Sequence, residues 1–294
     1  MAKQTALSDP RTQVCLGEPG PCQSCRRTAP ILLSPRALSA SVLPLQTGTM
    51  HVFKPKKSNS EIMTQLLTPI IALDGHAGAG KSTVAGEVAQ RLGFWHVNTG
   101  LFYRALTWKV LQTGLAPENQ PQIEALSRQV QIQVKEDASG QQHVWLDGKE
   151  ISHEIRTPEI NRNISLISAY AGVREAITHQ LRHIEHPQGI IMDGRDIGTV
   201  VFPHATLKVF LTASVEERAR RQYQDAQAQG QEISLEELKQ AIARRDRMDS
   251  ERSVAPLRQA EDAVRVDSTG LSPEMVIRQI LDLWAQHAIS VKAP

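Results

Sequence analysis

The chain has 294 residues, with 33 Lys and Arg against 31 Asp and Glu and only 4% aromatic residues. That length accommodates one or two domains. No apolar run approaches the roughly 20 residues that a membrane-spanning helix needs, so no membrane partner is expected. The near-balance of charge hides an asymmetry. Residues 1–60 hold 8 Lys/Arg and 2 Asp/Glu, whereas residues 61–294 hold 25 and 29, which argues against a nucleic-acid-binding face on the body.

Residues 1–60 also contain 7 of the 16 prolines, all 3 cysteines and a single aromatic residue, Phe53. Such a segment buries too little apolar surface to offset its chain entropy, and residues 1–62 are expected to form a disordered basic extension. Its acid-poor, arginine-containing character loosely resembles an organelle transit peptide, and Met50 and Met63 are alternative starts. Cys22 and Cys25, with Cys15 upstream, give half of a zinc or redox spacing, and no second pair completes it. No cysteine follows residue 25, so the body, residues 63–294, is expected to be disulfide-free and cytoplasmic.

The body opens on a short apolar run, Ile70 to Leu73, as a central parallel strand buried on both faces would. Directly after it comes Gly75-His76-Ala77-Gly78-Ala79-Gly80-Lys81-Ser82-Thr83, which fits G-x-x-x-x-G-K-[ST]. Glycines let the backbone curl so that successive N–H groups face one phosphate cluster, and the following helix adds its positive dipole end. In such a loop Lys81 reaches the β- and γ-phosphates, and the Ser82 hydroxyl ligates Mg²⁺. The helix is expected from Lys81 to Leu92, with Val84, Val88 and Leu92 on one stripe and Gly93 as its stop.

Phe94 to Val97 reads as a second strand running into Asn98-Thr99-Gly100 and a helix from Leu101 to Thr113. After a polar connection, Val130, Ile132 and Val134 alternate with polar residues, and Val144 to Leu146 ends at Asp147-Gly148. Alternation with an Asp-Gly turn predicts antiparallel strands inserted into an otherwise strand–helix chain. Thr157-Pro158 opens helical sequence that continues to Leu181 with a break at Gly172. Further strands are expected at 189–192, 207–211 and 263–266. Ser214-Val215-Glu216-Glu217 and Ser234-Leu235-Glu236-Glu237 read as capping boxes, and Ser272-Pro273 opens the last helix. The sum is an α/β fold with about five parallel strands, whose functional residues gather at the strands' carboxyl ends.

Asp193-Gly194-Arg195-Asp196 falls at such an end. Its acid suits Mg²⁺ or a metal-bound water opposite Ser82, and its arginine suits a bidentate anion clamp. Two arginine-rich helices follow, one with Arg218, Arg220 and Arg221, the other with Arg244, Arg245, Arg247 and Arg252 among aspartates. They read either as a salt-bridged surface or as a flap that brings charge onto transferring phosphates. His179, His183 and His186 have helical spacing, but Arg182 and Pro187 favour solvated surface histidines over a metal site.

Taken together, Gly75 to Thr83, Asn98-Thr99-Gly100-Leu101-Phe102-Tyr103-Arg104, Ile155-Arg156-Thr157, Val173 to Ala176, Asp193 to Pro203, Arg245 to Asp249 and Asp267-Ser268-Thr269 closely resemble bacterial-type cytidylate kinase, from about Thr68 to His287. The resemblance implies a P-loop nucleoside monophosphate kinase that uses ATP and Mg²⁺ to phosphorylate CMP or dCMP. It implies a three-layer fold with a monophosphate-binding insertion at about 99–185 and a helical lid at about 214–252; the chain is expected to be a monomer. By position, Gly75 to Thr83 with Arg218 and Arg221 would bind ATP, while Ser82 and Asp193 would hold the metal. Thr99 would contact the pyrimidine nucleotide; Arg104, Arg195 and Arg252 would hold the acceptor phosphate and, with Lys81, serve the transfer itself. Ser165, Arg174 and Asp196 would read the cytosine, and Arg245 and Asp249 the ribose. Two positions depart from the pattern: Asn98 stands where the family usually has aspartate, and His76 replaces a proline. Alternatives left open are a kinase acting on UMP or shikimate and a regulatory nucleotide switch, although no N-K-x-D segment for guanine is present.

Overall fold

A computed structural model describes residues 68–137, 140–228, 230 and 232–292, with side chains through His287. The expectations for the basic extension and its cysteines lie outside the described residues. Strand β1 (Ile70–Gly75) leads through the glycine loop into α1 (Lys81–Leu92), then β2 (Trp95–Asn98) and α2 (Thr99–Gln112). Later come β6 (Ile190–Gly194), β7 (Leu207–Thr212) and β8 (Val264–Asp267). These five strands form one parallel sheet in the order β2-β6-β1-β7-β8.

The continuous apolar runs are explained by burial on both faces. Ile71 and Leu73 of β1 pack with Val84 and Val88 of α1 and with Val276, Ile277 and Ile280 of the last helix, α8 (Pro273–Lys292). Ala72 points the other way, into a cluster with Val97, Phe102, Leu106 and Met192. Alternation along a strand therefore splits one run between two cores, giving helix, sheet and helix layers.

The insertion holds a three-stranded antiparallel sheet, β3 (Ile132–Glu136), β4 (Gln142–Leu146) and β5 (Lys149–Glu150). Asp147 and Gly148 both have positive φ, 52° and 82°, as the predicted tight turn between β4 and β5 requires. The polar connection before it contains a helix that the sequence reading lacked, α3 (Gln120–Ser127), capped by Asn119 with proline in its first turn. Helical sequence from 157 divides into α4 (Pro158–Ile167) and α5 (Ala171–Arg182). The break falls at Ser168 to Tyr170, not at Gly172; Gly172 lies inside α5, where an added Cβ would sit 2.8 Å from Glu124.

The two arginine-rich helices are α6 (Val215–Ala228) and α7 (Leu235–Glu251), joined by a small core of Ala219, Leu238 and Ile242. Ser234 forms the complete capping box. Ser214 forms only half of one. Its hydroxyl accepts from Glu217 N, but the Glu217 carboxylate turns to Arg220 and Arg221, and Ser214 N donates to Thr269 Oγ1. Because α5 ends at Arg182, His186 is removed from the other two histidines. His183 Nδ1 lies 2.7 Å from the His179 carbonyl, and no metal-binding group of three or more His, Cys, Asp or Glu occurs among the described residues.

Candidate active site

A cleft of about 870 Å³ opens at the carboxyl ends of the strands. Its lining includes Ala77 to Thr83, Asn98 to Gly100, Arg104, Ser165, Arg174, Asp193 to Asp196, Arg221, Arg245, Asp249 and Arg252. Segments far apart in sequence thus meet in one place, as expected at the ligand edge of a parallel sheet.

At one end lies the glycine loop. Gly75 cannot be replaced without rearrangement, because an added Cβ would sit 1.9 Å from the Leu211 carbonyl oxygen of the neighbouring strand. Gly80 is left-handed at φ 89° and caps α1. Lys81 is buried, and its ammonium donates to the His76 carbonyl at 2.7 Å. Burial, reinforced by the charge of Arg195, holds its pKa well below the usual lysine range, with Asp193 and Asp74 opposing. Such a cation is short of counter-charge and suited to an incoming phosphate.

Ser82 and Asp193 meet from opposite sides, Ser82 Oγ donating to Asp193 Oδ2 at 2.8 Å. A hydroxyl beside one carboxylate, open to a cleft, fits Mg²⁺, which keeps most of its water and takes one or two protein ligands. Asn98 is the residue whose charge differs from the expected pattern. Its amide donates to Ser82 Oγ at 3.0 Å, while its Oδ1 accepts from Gly100 N and caps α2. It acts here as a neutral donor and helix cap. Thr99 lines the cleft, but its hydroxyl donates to the Asp193 carbonyl and so fixes the end of β6.

Several guanidinium groups line the same cleft. Arg104 donates to the Ile155 carbonyl and to Asn161 Oδ1. Arg195 donates through Nε to Asp249 Oδ2 at 2.8 Å. Arg174 pairs with Asp196, donates to the Ser168 carbonyl and lies over the Tyr103 ring. Ser165 borders the same pocket. Burial pushes the Asp249 carboxyl up, but Arg195, Arg245 and Arg252 together outweigh it and hold the group below the usual range. Burial and then Arg195 lower Arg245 to about 10. Arg245 Nε and Arg252 Nη2 are buried without a partner. Buried donors left in this state cost free energy unless a ligand supplies the acceptor.

The arginines of α6 divide. Arg221 lies on the cleft, donating to Glu217 and Ser268. Arg218 is buried with its donors committed to Ala213 O, Ala77 O and both oxygens of Asp246, so it joins the glycine loop to α6 and α7.

Three residues were missed in the sequence. Asp74, just before the loop, accepts from the backbone N–H groups of Ile197 and Gly198 at 2.8 and 2.7 Å. His96 Nε2 lies 2.7 Å from Asp193 Oδ1. Gln142, from the antiparallel sheet, donates to the His96 carbonyl. Each has a partner distant in sequence; only the placement of Asp74 and His96 on strands leading to the cleft hinted at a role.

The glycine loop at the edge of a parallel sheet, in a cleft lined with arginines, defines a P-loop kinase. The cytidylate kinase family model matches residues 71–286. The cytidylate kinase of Desulfitobacterium hafniense (strain Y51) is 44% identical over 214 residues, covering 73% of this chain and 91% of that protein. That of Limosilactobacillus reuteri (strain DSM 20016) is 46% identical over 211 residues, covering 71% and 92%. The chain belongs to the cytidylate kinase family. It is also 44% identical over 245 residues to a bifunctional pantoate ligase/cytidylate kinase of Synechococcus sp. (strain JA-2-3B'a(2-13)), covering 83% of this chain but spanning only 45% of that relative's length.

Proposed function

We propose that the chain transfers the γ-phosphoryl group of ATP to CMP or dCMP, forming CDP or dCDP and ADP. The observation that carries this reading is the pair of buried, unpartnered guanidinium nitrogens on Arg245 and Arg252, residues that line the same cleft as the glycine loop. A nucleotide switch needs a donor site alone; this cleft holds a second set of anion donors.

In the reaction a phosphate oxygen of CMP attacks the γ-phosphorus in line, and the bond from that phosphorus to the β,γ-bridging oxygen breaks, leaving ADP. Phosphoryl transfer depends mostly on positioning and charge stabilisation. Loop amides from Gly75 to Thr83 and the Lys81 ammonium hold the donor phosphates, with Arg221 closing from the lid. Ser82 and Asp193 would hold Mg²⁺, which when bound neutralises charge on the β- and γ-phosphate oxygens. Arg104, Arg195 and Arg252 hold the acceptor phosphate; Arg245 and Asp249 hold the ribose. Ser165, Arg174 and Asp196 read the cytosine. Their donors and acceptors suit its N4–H₂ and its ring acceptors, and adenine presents a different edge. Closure of α6 and α7 excludes water, which would otherwise compete as acceptor. The enzyme is proposed to work as a cytoplasmic monomer without nucleic-acid or membrane partners.

Turnover of Mg-ATP with CMP, dCMP, UMP, AMP and shikimate tests the assignment. CMP and dCMP are expected to lead by at least tenfold; equal turnover of AMP would sink the cytosine reading. Arg195→Ala is expected to lower kcat/KM for CMP by roughly 30- to 1000-fold, the effect of losing about 2–4 kcal/mol of charge stabilisation, with ATP binding retained.

A further inference from the structure

Strand β2 carries two side chains that bear on the Ser82 and Asp193 pair, Asn98 lining the cleft and His96 buried behind it. His96 and Asn98 are two residues apart and so share a face of the strand. In the parallel register of β2 with β6, Asn98 lies opposite Asp193. Asn98 donates to Ser82 Oγ. His96 reaches Asp193 Oδ1 at 2.7 Å, while Asp193 Oδ2 accepts from Ser82 at 2.8 Å. Both His96 and Asp193 are at least nine-tenths buried. The strand is held in place from the antiparallel sheet, where Gln142 Nε2 donates to the His96 carbonyl and its Oε1 accepts from Asn98 N.

We propose that His96 is a positioning residue for the metal site, turning the Asp193 carboxylate so that Oδ2 faces the Ser82 hydroxyl. The inference rests on the reading of Ser82 and Asp193 as the Mg²⁺ ligands. A carboxylate oxygen accepts, so His96 Nε2 carries the proton. One carboxylate oxygen is thereby fixed by a buried donor and the other is left for the cleft. Asn98 adds no negative charge, which leaves Asp193 as the acid at the Ser82 hydroxyl and makes its orientation consequential. Without the imidazole, Asp193 Oδ1 is a buried acceptor with no partner, and the carboxylate is free to turn toward Lys81, whose charge acts on it. Outer partners of this kind typically change metal affinity by about 10- to 100-fold when removed.

The test is calorimetric titration of ATP into the full chain at a series of free Mg²⁺ concentrations, with wild type, His96→Leu, His96→Gln and Asp193→Asn. His96→Leu is expected to bind ATP without metal as wild type does, yet to need at least tenfold more Mg²⁺ to reach the same enhancement. His96→Gln, whose amide can donate to Asp193, is expected to respond to Mg²⁺ within threefold of wild type. A wild-type Mg²⁺ response in His96→Leu overturns the proposal. If His96→Leu loses metal-free ATP binding through misfolding, His96→Gln decides, and a tenfold weaker response there overturns it. Asp193→Asn separates the two readings. A full Mg²⁺ response in Asp193→Asn places the metal elsewhere, whereas loss there with retention in His96→Leu removes only the role of His96.

Discussion

Asp74 joins the strand of the glycine loop to the segment that follows Arg195 and Asp196 through a single side chain. It ends the strand that launches the glycine loop, and its two oxygens take the backbone N–H groups of Ile197 and Gly198, just beyond Arg195 and Asp196. Burial pushes its carboxyl up to about 6, opposed by those two hydrogen bonds and by Lys81 and reinforced by Asp196. A folded-state value above the ordinary one means that the folded protein holds this proton more tightly than the unfolded chain. The stability so contributed is complete below about pH 4 and is lost as pH rises through 6, a total of roughly 3 kcal/mol. Asp74→Asn abolishes the titration but turns an amide NH₂ toward one of the two N–H groups, a loss of about 1–3 kcal/mol. Urea melts from about pH 4 to pH 8 should therefore give a wild-type-minus-variant stability difference that falls across that window; a flat difference would show that burial does not shift the group. Neither Asp74 nor His96 was legible in the sequence, because their partners lie 123 and 97 residues away. The glycine loop and Asp193 to Asp196 were legible because each packs its chemistry into adjacent residues.

Among the elements, local signals set most of the bounds, although the break read at Gly172 lies at Ser168 to Tyr170 and the box read at Ser214 is only half formed. Lys81 to Leu92 has an apolar stripe and a glycine stop, and the structure places α1 at those bounds. The helix at Gln120–Ser127 has a weaker signature, since its buried positions are only Ile123 and Ser127, and its cap, Asn119, lies in otherwise polar sequence. The lid shows a different limit. Its arginines were visible as a charged pair of helices, but their division of labour depends on packing. Arg218 and Asp246 are 3% and 16% exposed, and their ion pair links α6 to α7 while Arg218 also holds Ala77 of the glycine loop. Asp246→Ala leaves a buried guanidinium without its counter-ion, a loss of about 3–5 kcal/mol. It is expected to raise KM for ATP severalfold while changing KM for CMP less, measured by initial rates with each substrate varied in turn. Equal effects on both would place the pair's role outside the donor site. Ser234→Ala, which removes the capping box at the far end of α7, serves as the contrast. It should lower stability by only about 1 kcal/mol and leave both KM values unchanged.

At the scale of the whole molecule, every proposed catalytic and binding group comes from residues 75–252, while the final strand and helix close the sheet and its core. The family match, residues 71–286, covers this same body. We therefore propose residues 63–294 as the catalytic domain, with residues 1–62 contributing nothing to transfer. The cleft holds cations with depressed pKa values and donors without partners, so bound nucleotides supply the missing counter-charge, and the stabilisation should be visible globally. A ligand at 100 times its Kd adds about 2.7 kcal/mol to a folded state that alone binds it. For a body of this size that corresponds to roughly 5–11 °C in Tm. Thermal unfolding of the full chain and of a chain beginning at Met63, each with and without CMP at that multiple of its own Kd, should show the same shift, and the two should agree in kcat/KM for CMP within twofold. A smaller shift or a severalfold loss of kcat/KM in the shorter chain would mean that the basic extension reaches the nucleotide-binding body, and residues 1–62 would then belong to the enzyme.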